Sequence, residues 1–181
     1  LVGDVDGDGK DDLVLHKGRL FAAKTDLTRS GPASVSFSYG REGDAGVVGD
    51  WDGDGKDSLA VRRGNVFHIS NRMGSSTADQ TIAYGKPGDT VMVGDWDGDG
   101  KDTFAVRRGN QYHIRNTISS GVADKVVPYG RSDDEVFVGH FGGSAKDALA
   151  VRRGKTFYVS NHIHNGDADR VIDYGRVGDR A

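Results

Sequence analysis

One ten-residue phrase returns along the chain at nearly constant intervals. It reads GDVDGDGKDD at residues 3–12, GDWDGDGKDS at 49–58 and GDWDGDGKDT at 94–103, and a worn copy, GHFGGSAKDA, follows at 139–148. The loops start at Asp4, Asp50, Asp95 and His140, spaced by 46, 45 and 45 residues, so four units (3–48, 49–93, 94–138 and 139–181) fill the 181-residue chain. Self-similarity at this period marks a repeat architecture, in which each unit buries its apolar surface only by stacking on the next.

Within each unit the apolar residues alternate. The acidic loop is followed by DLVLHKG, SLAVRRG, TFAVRRG or ALAVRRG, then by RLFAAKT, NVFHISN, NQYHIRN or KTFYVSN. A third stretch ends in Tyr-Gly (SVSFSYG, QTIAYG, KVVPYG, RVIDYG), and AGVVGD, TVMVGD or EVFVGH leads into the next loop. Period two predicts strands, and no stretch sustains a 3.6-residue period. Four short strands in about 45 residues is the content of one β-propeller blade. The fold expected is all-β, a propeller of four tandem four-stranded blades, with Leu59, Val61, Phe67, Ile69, Ile82 and Val91 in the core between blades. A parallel β-solenoid carrying calcium is the alternative, but its repeats are much shorter.

The tandem Asp-x-Asp-Gly-Asp-Gly-Lys motif with a strand behind it resembles the FG-GAP or VCBS-type repeats of bacterial secreted proteins, related to the calcium-bearing blades of integrin α-chains. The resemblance covers all four units, although the fourth lacks the acids. It implies a calcium-stabilised propeller on a secreted or cell-surface protein. It leaves function open among adhesion modules, lectin-like modules and accessory domains of cell-wall or polysaccharide hydrolases.

Calcium takes six to eight oxygen ligands at about 2.3–2.6 Å, and acids at alternate positions turn several carboxylates inward while glycines let the backbone curl around the ion. Without a cation three clustered acids repel one another. The expected side-chain ligands are Asp4, Asp6 and Asp8; Asp50, Asp52 and Asp54; and Asp95, Asp97 and Asp99, with the carbonyls of Lys10, Lys56 and Lys101 as further ligands. Three Ca2+ sites follow, and none at His140, Gly142 and Ser144. The closing acid is open: the family position holds Asp12, Ser58, Thr103 and Ala148, whereas one residue earlier every unit has an aspartate, Asp11, Asp57, Asp102 and Asp147. Asp57 and Asp102 are expected to close their sites, and in the first unit both Asp11 and Asp12 are available to do so; the survival of Asp147 in the degraded unit supports the lesser reading, a turn cap. An EF-hand is excluded, since its twelfth position falls at Val61 or Val106 inside a strand.

Composition narrows the partners. A net charge of −3 with scattered arginines gives no basic surface for nucleic acid, and no stretch approaches the roughly 18 apolar residues of a membrane span. With no cysteine there is neither disulfide nor thiolate metal site. No Gly-x-Ser-x-Gly elbow or phosphate-binding loop is present, and Glu42 and Glu135 make no convincing glycosidase pair, so the chain reads as a binding module rather than an enzyme.

The remaining regular residues define a candidate glycan contact: Tyr84 and Tyr129, with Arg63 and Arg108 as polar anchors and His68 and His113 as nearby donors. An aromatic face covers sugar C–H groups while fixed polar groups bond hydroxyls. Each has a plainer reading: tyrosine packing between blades, arginine pairs in solvated turns or forked onto a carboxylate between blades, and Trp51 and Trp96 as packing residues. His162 and His164 in NHIHN share a face if extended, but no third ligand is evident. The partner expected is a cell-wall or surface glycan, with a surface protein as the second class. Joining GDRA (178–181) to LVGD (1–4) makes GDRALVGD, the pattern of GDAGVVGD, so the break falls inside one strand, completed by the chain's own ends, by another chain or by further repeats.

Overall fold

A computed structural model describes residues 1–179. Arg180 and Ala181, on which the proposed joining of the ends partly rests, lie outside the described residues. Among the described residues every regular element is a strand, and no helix is long and apolar enough to cross a membrane. The fold class is the one the repeat predicts: all-β, of the β-propeller type, with four four-stranded antiparallel blades.

Blade 1 consists of β1 (Val2–Gly3), β2 (Asp12–Lys17), β3 (Leu20–Lys24) and β4 (Val35–Ser38). Blade 2 consists of β5 (Ala45–Gly49), β6 (Ser58–Arg63), β7 (Val66–Ile69) and β8 (Gln80–Ala83). Blade 3 comprises β9 (Thr90–Gly94), β10 (Thr103–Arg108), β11 (Gln111–Ile114) and β12 (Lys125–Pro128). Blade 4 comprises β13 (Glu135–Gly139), β14 (Ala148–Arg153), β15 (Thr156–Val159) and β16 (Arg170–Asp173). Each is a meander in which consecutive strands pair. The strand before an acidic loop pairs with the strand after it, as Gly49 opposite Ser58 and Gly94 opposite Thr103 show. The loop is therefore the connection between a blade's first two strands, and the sequence unit, cut at the loop, runs one strand out of phase with the blade.

The chain forms two compact units, the first holding blades 1 and 2 and the second blades 3 and 4 apart from short loop segments. In the first, one face of blade 1 (Val14, Phe21, Ala23 and Tyr39) closes on Leu59 and Val61 of blade 2. In the second, Met92, Ala105, Tyr112, Ile114 and Tyr129 of blade 3 close on Leu149 and Val151 of blade 4. Alternation supplies one side-chain set to each face of a strand, so a single blade is apolar on both sides. The expected core residues Leu59, Val61, Phe67, Ile69 and Ile82 are buried and Val91 is half-buried.

Candidate functional site

In the first loop Asp4 Oδ1 accepts the amides of Gly7 (2.7 Å) and Asp8 (3.1 Å), and its Oδ2 accepts that of Gly9 (2.8 Å). Asp50 repeats this with Gly53, Asp54 and Gly55 at 2.8, 3.2 and 2.8 Å, and Asp95 with Gly98 and Asp99 at 2.7 and 3.2 Å. The first aspartate thus folds the loop about its own carboxylate, which requires the left-handed turns at Gly7 and Gly9 (φ 80° and 82°) and their counterparts Gly53 and Gly55. The amides of Lys10 and Lys56 close the turn on Asp8 and Asp54 Oδ1, both at 2.9 Å.

The result is convergence. Ligand oxygens of Asp4, Asp6 and Asp8 lie within 4.8 Å of one another, as do those of Asp50, Asp52 and Asp54 and of Asp95, Asp97 and Asp99. An all-oxygen anionic donor set fits a hard divalent cation, calcium before magnesium, because it supplies many protein oxygens without demanding octahedral regularity. In the fourth loop Ser144 Oγ accepts the Lys146 amide (3.3 Å) and donates to the Lys146 carbonyl (3.5 Å), and His140 Nδ1 stands 3.5 Å from Asp147 Oδ1.

The aspartates one residue before the family's closing position face the loop of the preceding blade. Asp57 donates its amide to Asp4 O (2.7 Å) and accepts the Asp4 amide on Oδ2 (2.9 Å). Asp102 does the same with Asp50 (2.7 and 3.0 Å), and Asp147 with Asp95 (2.7 and 3.0 Å). The lysine before each lies across the same preceding loop: a Cβ at Gly7 would meet Lys56 Cγ at 2.9 Å, and Cβ atoms at Gly53 and Gly98 would meet Lys101 and Lys146 Cγ at 3.1 Å. The Lys-Asp pair therefore clasps the loop behind it, and Lys146–Asp147 persists in the degraded unit because it serves the intact loop of blade 3. A side chain at Gly94, next to Asp95, would come within 2.8 Å of Asp147 Oδ2, so the approach needs glycine there. Burial, then the charge of Asp102, pushes the Asp57 carboxyl up to about 6, with Asp50 and Asp4 adding to the rise and the Asp4 amide opposing it. A cation held in the loops opposes that rise. In blade 1, Asp11 is exposed, whereas Asp12 is buried with Oδ2 accepting the Val5 amide at 3.0 Å.

The glycan candidates are placed differently from one another. Tyr84 and Tyr129 are buried, and Tyr129 donates its hydroxyl to Tyr158 O at 3.1 Å; burial, with lesser effects from Asp169 and Tyr112, pushes its phenol up to about 12. Arg63 forks onto Asp44 at 2.8 and 2.6 Å and Arg108 onto Asp89 at 3.0 and 2.6 Å; Arg153 repeats this on Asp134 at 2.8 and 2.7 Å. Each fork joins the end of a blade's second strand to the start of its first, within one blade. Burial raises Asp44 and Asp134, but the arginine and the Arg41 and Arg131 amides outweigh it, holding both below the usual carboxylate range. His68 Nε2 lies 3.4 Å from Arg63 Nη1, and His113 Nε2 3.5 Å from Arg108 Nη1. The preceding arginines, Arg62, Arg107 and Arg152, lie over Phe67, Tyr112 and Phe157 at 5.5–5.7 Å. Trp51 and Trp96 are buried and donate Nε1 to Ser58 O and Thr103 O.

The sequence reading missed Asp44, Asp89 and Asp134. Their signal was an aspartate recurring at 45-residue intervals just before the first strand of a blade. It also missed a recess of about 400 Å³ between blades 3 and 4, where Asn110, Tyr129, Arg131, Arg153, Tyr158 and Asp167 meet. Tyr158 stands at the position of His68 and His113, beneath Arg153 at 4.9 Å. The chain matches no protein-family model, and no curated protein matches it.

Proposed function

We propose that this chain is a calcium-stabilised carbohydrate-binding module of a secreted or surface bacterial protein, built from FG-GAP/VCBS-type blades and acting by multivalency rather than by catalysis. The observation that carries the ligand class is the recess between blades 3 and 4. It pairs two tyrosines with Asn110, Arg131, Arg153 and Asp167, the mixture of aromatic surface and fixed donors and acceptors that suits a sugar. Arg153 is held by Asp134, so its remaining donors are presented at low entropic cost. Tyr39, Arg41, Arg63 and His68 occupy the corresponding positions in blades 1 and 2. Single shallow sites of this kind have affinities on the order of millimolar, about −4 kcal/mol, and a polymer engaging several binds far more tightly. In this reading calcium holds the loops rigid and takes no part in the contact.

The test is isothermal titration of purified cell-wall polysaccharide into the calcium-loaded chain and into Arg131→Ala combined with Tyr158→Ala, each checked for folding by circular dichroism. Avidity should fall at least tenfold in the variant. Equal avidity in a folded variant moves the site elsewhere, and absence of binding to wild type removes the carbohydrate reading.

A second reading, a module that associates with further blades or a surface protein, has its own support. Leu13 and Leu15 of blade 1 and Ile172 and Tyr174 of blade 4 are exposed, although their counterparts in blades 2 and 3 are core residues. Phe137, Ala150, Phe157 and Val159 join Ile172 and Tyr174 around an apolar hollow of about 530 Å³ on blade 4. Sedimentation at rising concentration, with and without Tyr174→Ser, separates the two: self-association that the variant abolishes assigns that face to a blade-like partner.

A further inference from the structure

The loop between β15 and β16 brings together His162, His164 and Asp169, whose ligand atoms lie within 4.8 Å of one another. Nothing in the repeat demands the histidines, since the corresponding residues are Arg72 and Gly74 in blade 2 and Thr117 and Ser119 in blade 3. The aspartate, by contrast, belongs to the repeat. Asp79, Asp124 and Asp169 each accept, on Oδ2, the amide of the asparagine that opens the loop (Asn71, Asn116, Asn161) at 2.8, 2.8 and 2.7 Å. In blades 2 and 3 a guanidinium balances that carboxylate, Arg72 at 3.9 Å and Arg115 at 3.7 Å. In blade 4 two imidazoles stand there instead.

The geometry points to a divalent transition-metal site, zinc by its ligand chemistry, formed by His162, His164 and Asp169. His164 Nδ1 lies 3.0 Å from the His162 carbonyl and 3.1 Å from Ser160 Oγ. A bond from Nδ1–H to that carbonyl leaves the lone pair on Nε2, the tautomer a metal needs, and is the outer hydrogen bond that orients ligating histidines. The His162 ring stacks on it at 4.3 Å between centroids, 19° from parallel. Two imidazoles and a carboxylate make a borderline donor set with room for water, which suits zinc rather than calcium. Ligand bonds of about 2.0–2.1 Å require the donors to close in, a motion available to the exposed His162 side chain.

The site lies where blade 4 lacks its acids. The loop packs on the degraded one so closely that a Cβ at Gly142 would fall 2.2 Å from Asn161 O, and Arg170 bridges Phe141 O and Asn161 Oδ1. Lys125 of blade 3 donates to Ile163 O between the two histidines. A metal here staples the outer hairpin of blade 4 beside the one loop that has lost its acids.

The experiment uses the whole chain with calcium in excess, so that the aspartate trios are occupied, and titrates Zn2+ against a chromophoric chelator. One zinc per chain is expected at micromolar affinity, weakened at least tenfold by His162→Ala and by His164→Ala. His162→Arg restores the ion pair of blade 2; it should fold with a melting temperature near wild type and show no upward shift with zinc, whereas wild type does. Co2+ should give d–d absorption in wild type and lose it in His164→Ala. Absence of zinc binding by wild type, or equal affinity in folded His162→Ala and His164→Ala, overturns the assignment.

Discussion

Blades 3 and 4 lie in one compact unit and use the same strand pattern, and two of their differences separate what the sheet needs from what its loop and its neighbour supply. Tyr129 and Tyr174 hold the same repeat position, but the first is 5% exposed and the second 75%. Asp95, Asp97 and Asp99 converge in blade 3, where blade 4 has His140, Gly142 and Ser144. Both blades keep their strand ladders and their arginine–aspartate fork, Arg108 on Asp89 and Arg153 on Asp134. The sheet therefore does not depend on the acids, and the fork joins first and second strands whether or not the intervening loop carries them. Tyrosine burial follows the neighbour: blade 4 covers Tyr129, whereas Tyr174 stands on an open face.

The largest test of this contrast is calcium. Three ions should bind per chain, and each site at one hundred times its dissociation constant adds about 2.7 kcal/mol. Chelation should lower the melting temperature on the order of 5–10 °C per site lost. Asp97→Ala should reduce the stoichiometry from three to two while His140→Ala leaves it at three; calcium-independent melting, or a fourth site lost in His140→Ala, would erase the difference between the loops.

Next is the tyrosine pair. Tyr129→Ala opens a cavity in the core of its unit and should cost about 3–5 kcal/mol, whereas Tyr174→Ala should stay within about 0.5 kcal/mol. Urea unfolding of both reads this directly, and equal costs would mean that the blade 4 face is covered in solution.

The forks should behave alike in the two blades. Arg108→Ala and Arg153→Ala each leave a buried carboxylate without its cation and should destabilise the chain to a similar extent, less than Tyr129→Ala because the arginines are partly exposed. Asp134 is held below its ordinary value, so its stabilisation is complete above the usual carboxylate range near pH 4 and disappears as pH falls through the depressed folded value. The deficit of Arg153→Ala relative to wild type should therefore narrow in urea unfolding as pH falls below about 4.

The smallest effect crosses the two blades. Asp147→Ala removes the acceptor of the Asp95 amide and should cost about 1–2 kcal/mol. Although Asp147 belongs to blade 4, the loss should appear as weaker calcium binding at the Asp95 site, with the other two sites unchanged. An unaltered third site would mean that the clasp does not position the loop.

What could be read from the letters alone was whatever depends on local periodicity. Alternating apolar residues require strands, the 45-residue period sets four blades, and acids at alternate positions between glycines make each trio converge, because turn geometry is fixed within a few residues. What only the tertiary structure decided were contacts between residues distant in the chain. Asp57, Asp102 and Asp147 face the loop about 52 residues earlier rather than only their own. Asp44, Asp89 and Asp134 meet arginines 19 residues away across the first strand pair. Asp169 supplies the third ligand that NHIHN lacked, because the β15–β16 hairpin folds position 169 back beside 162 and 164. The same limit governs the tyrosines: alternation assigns a side chain to a face, but whether that face meets another blade or water depends on neighbours that no single repeat encodes.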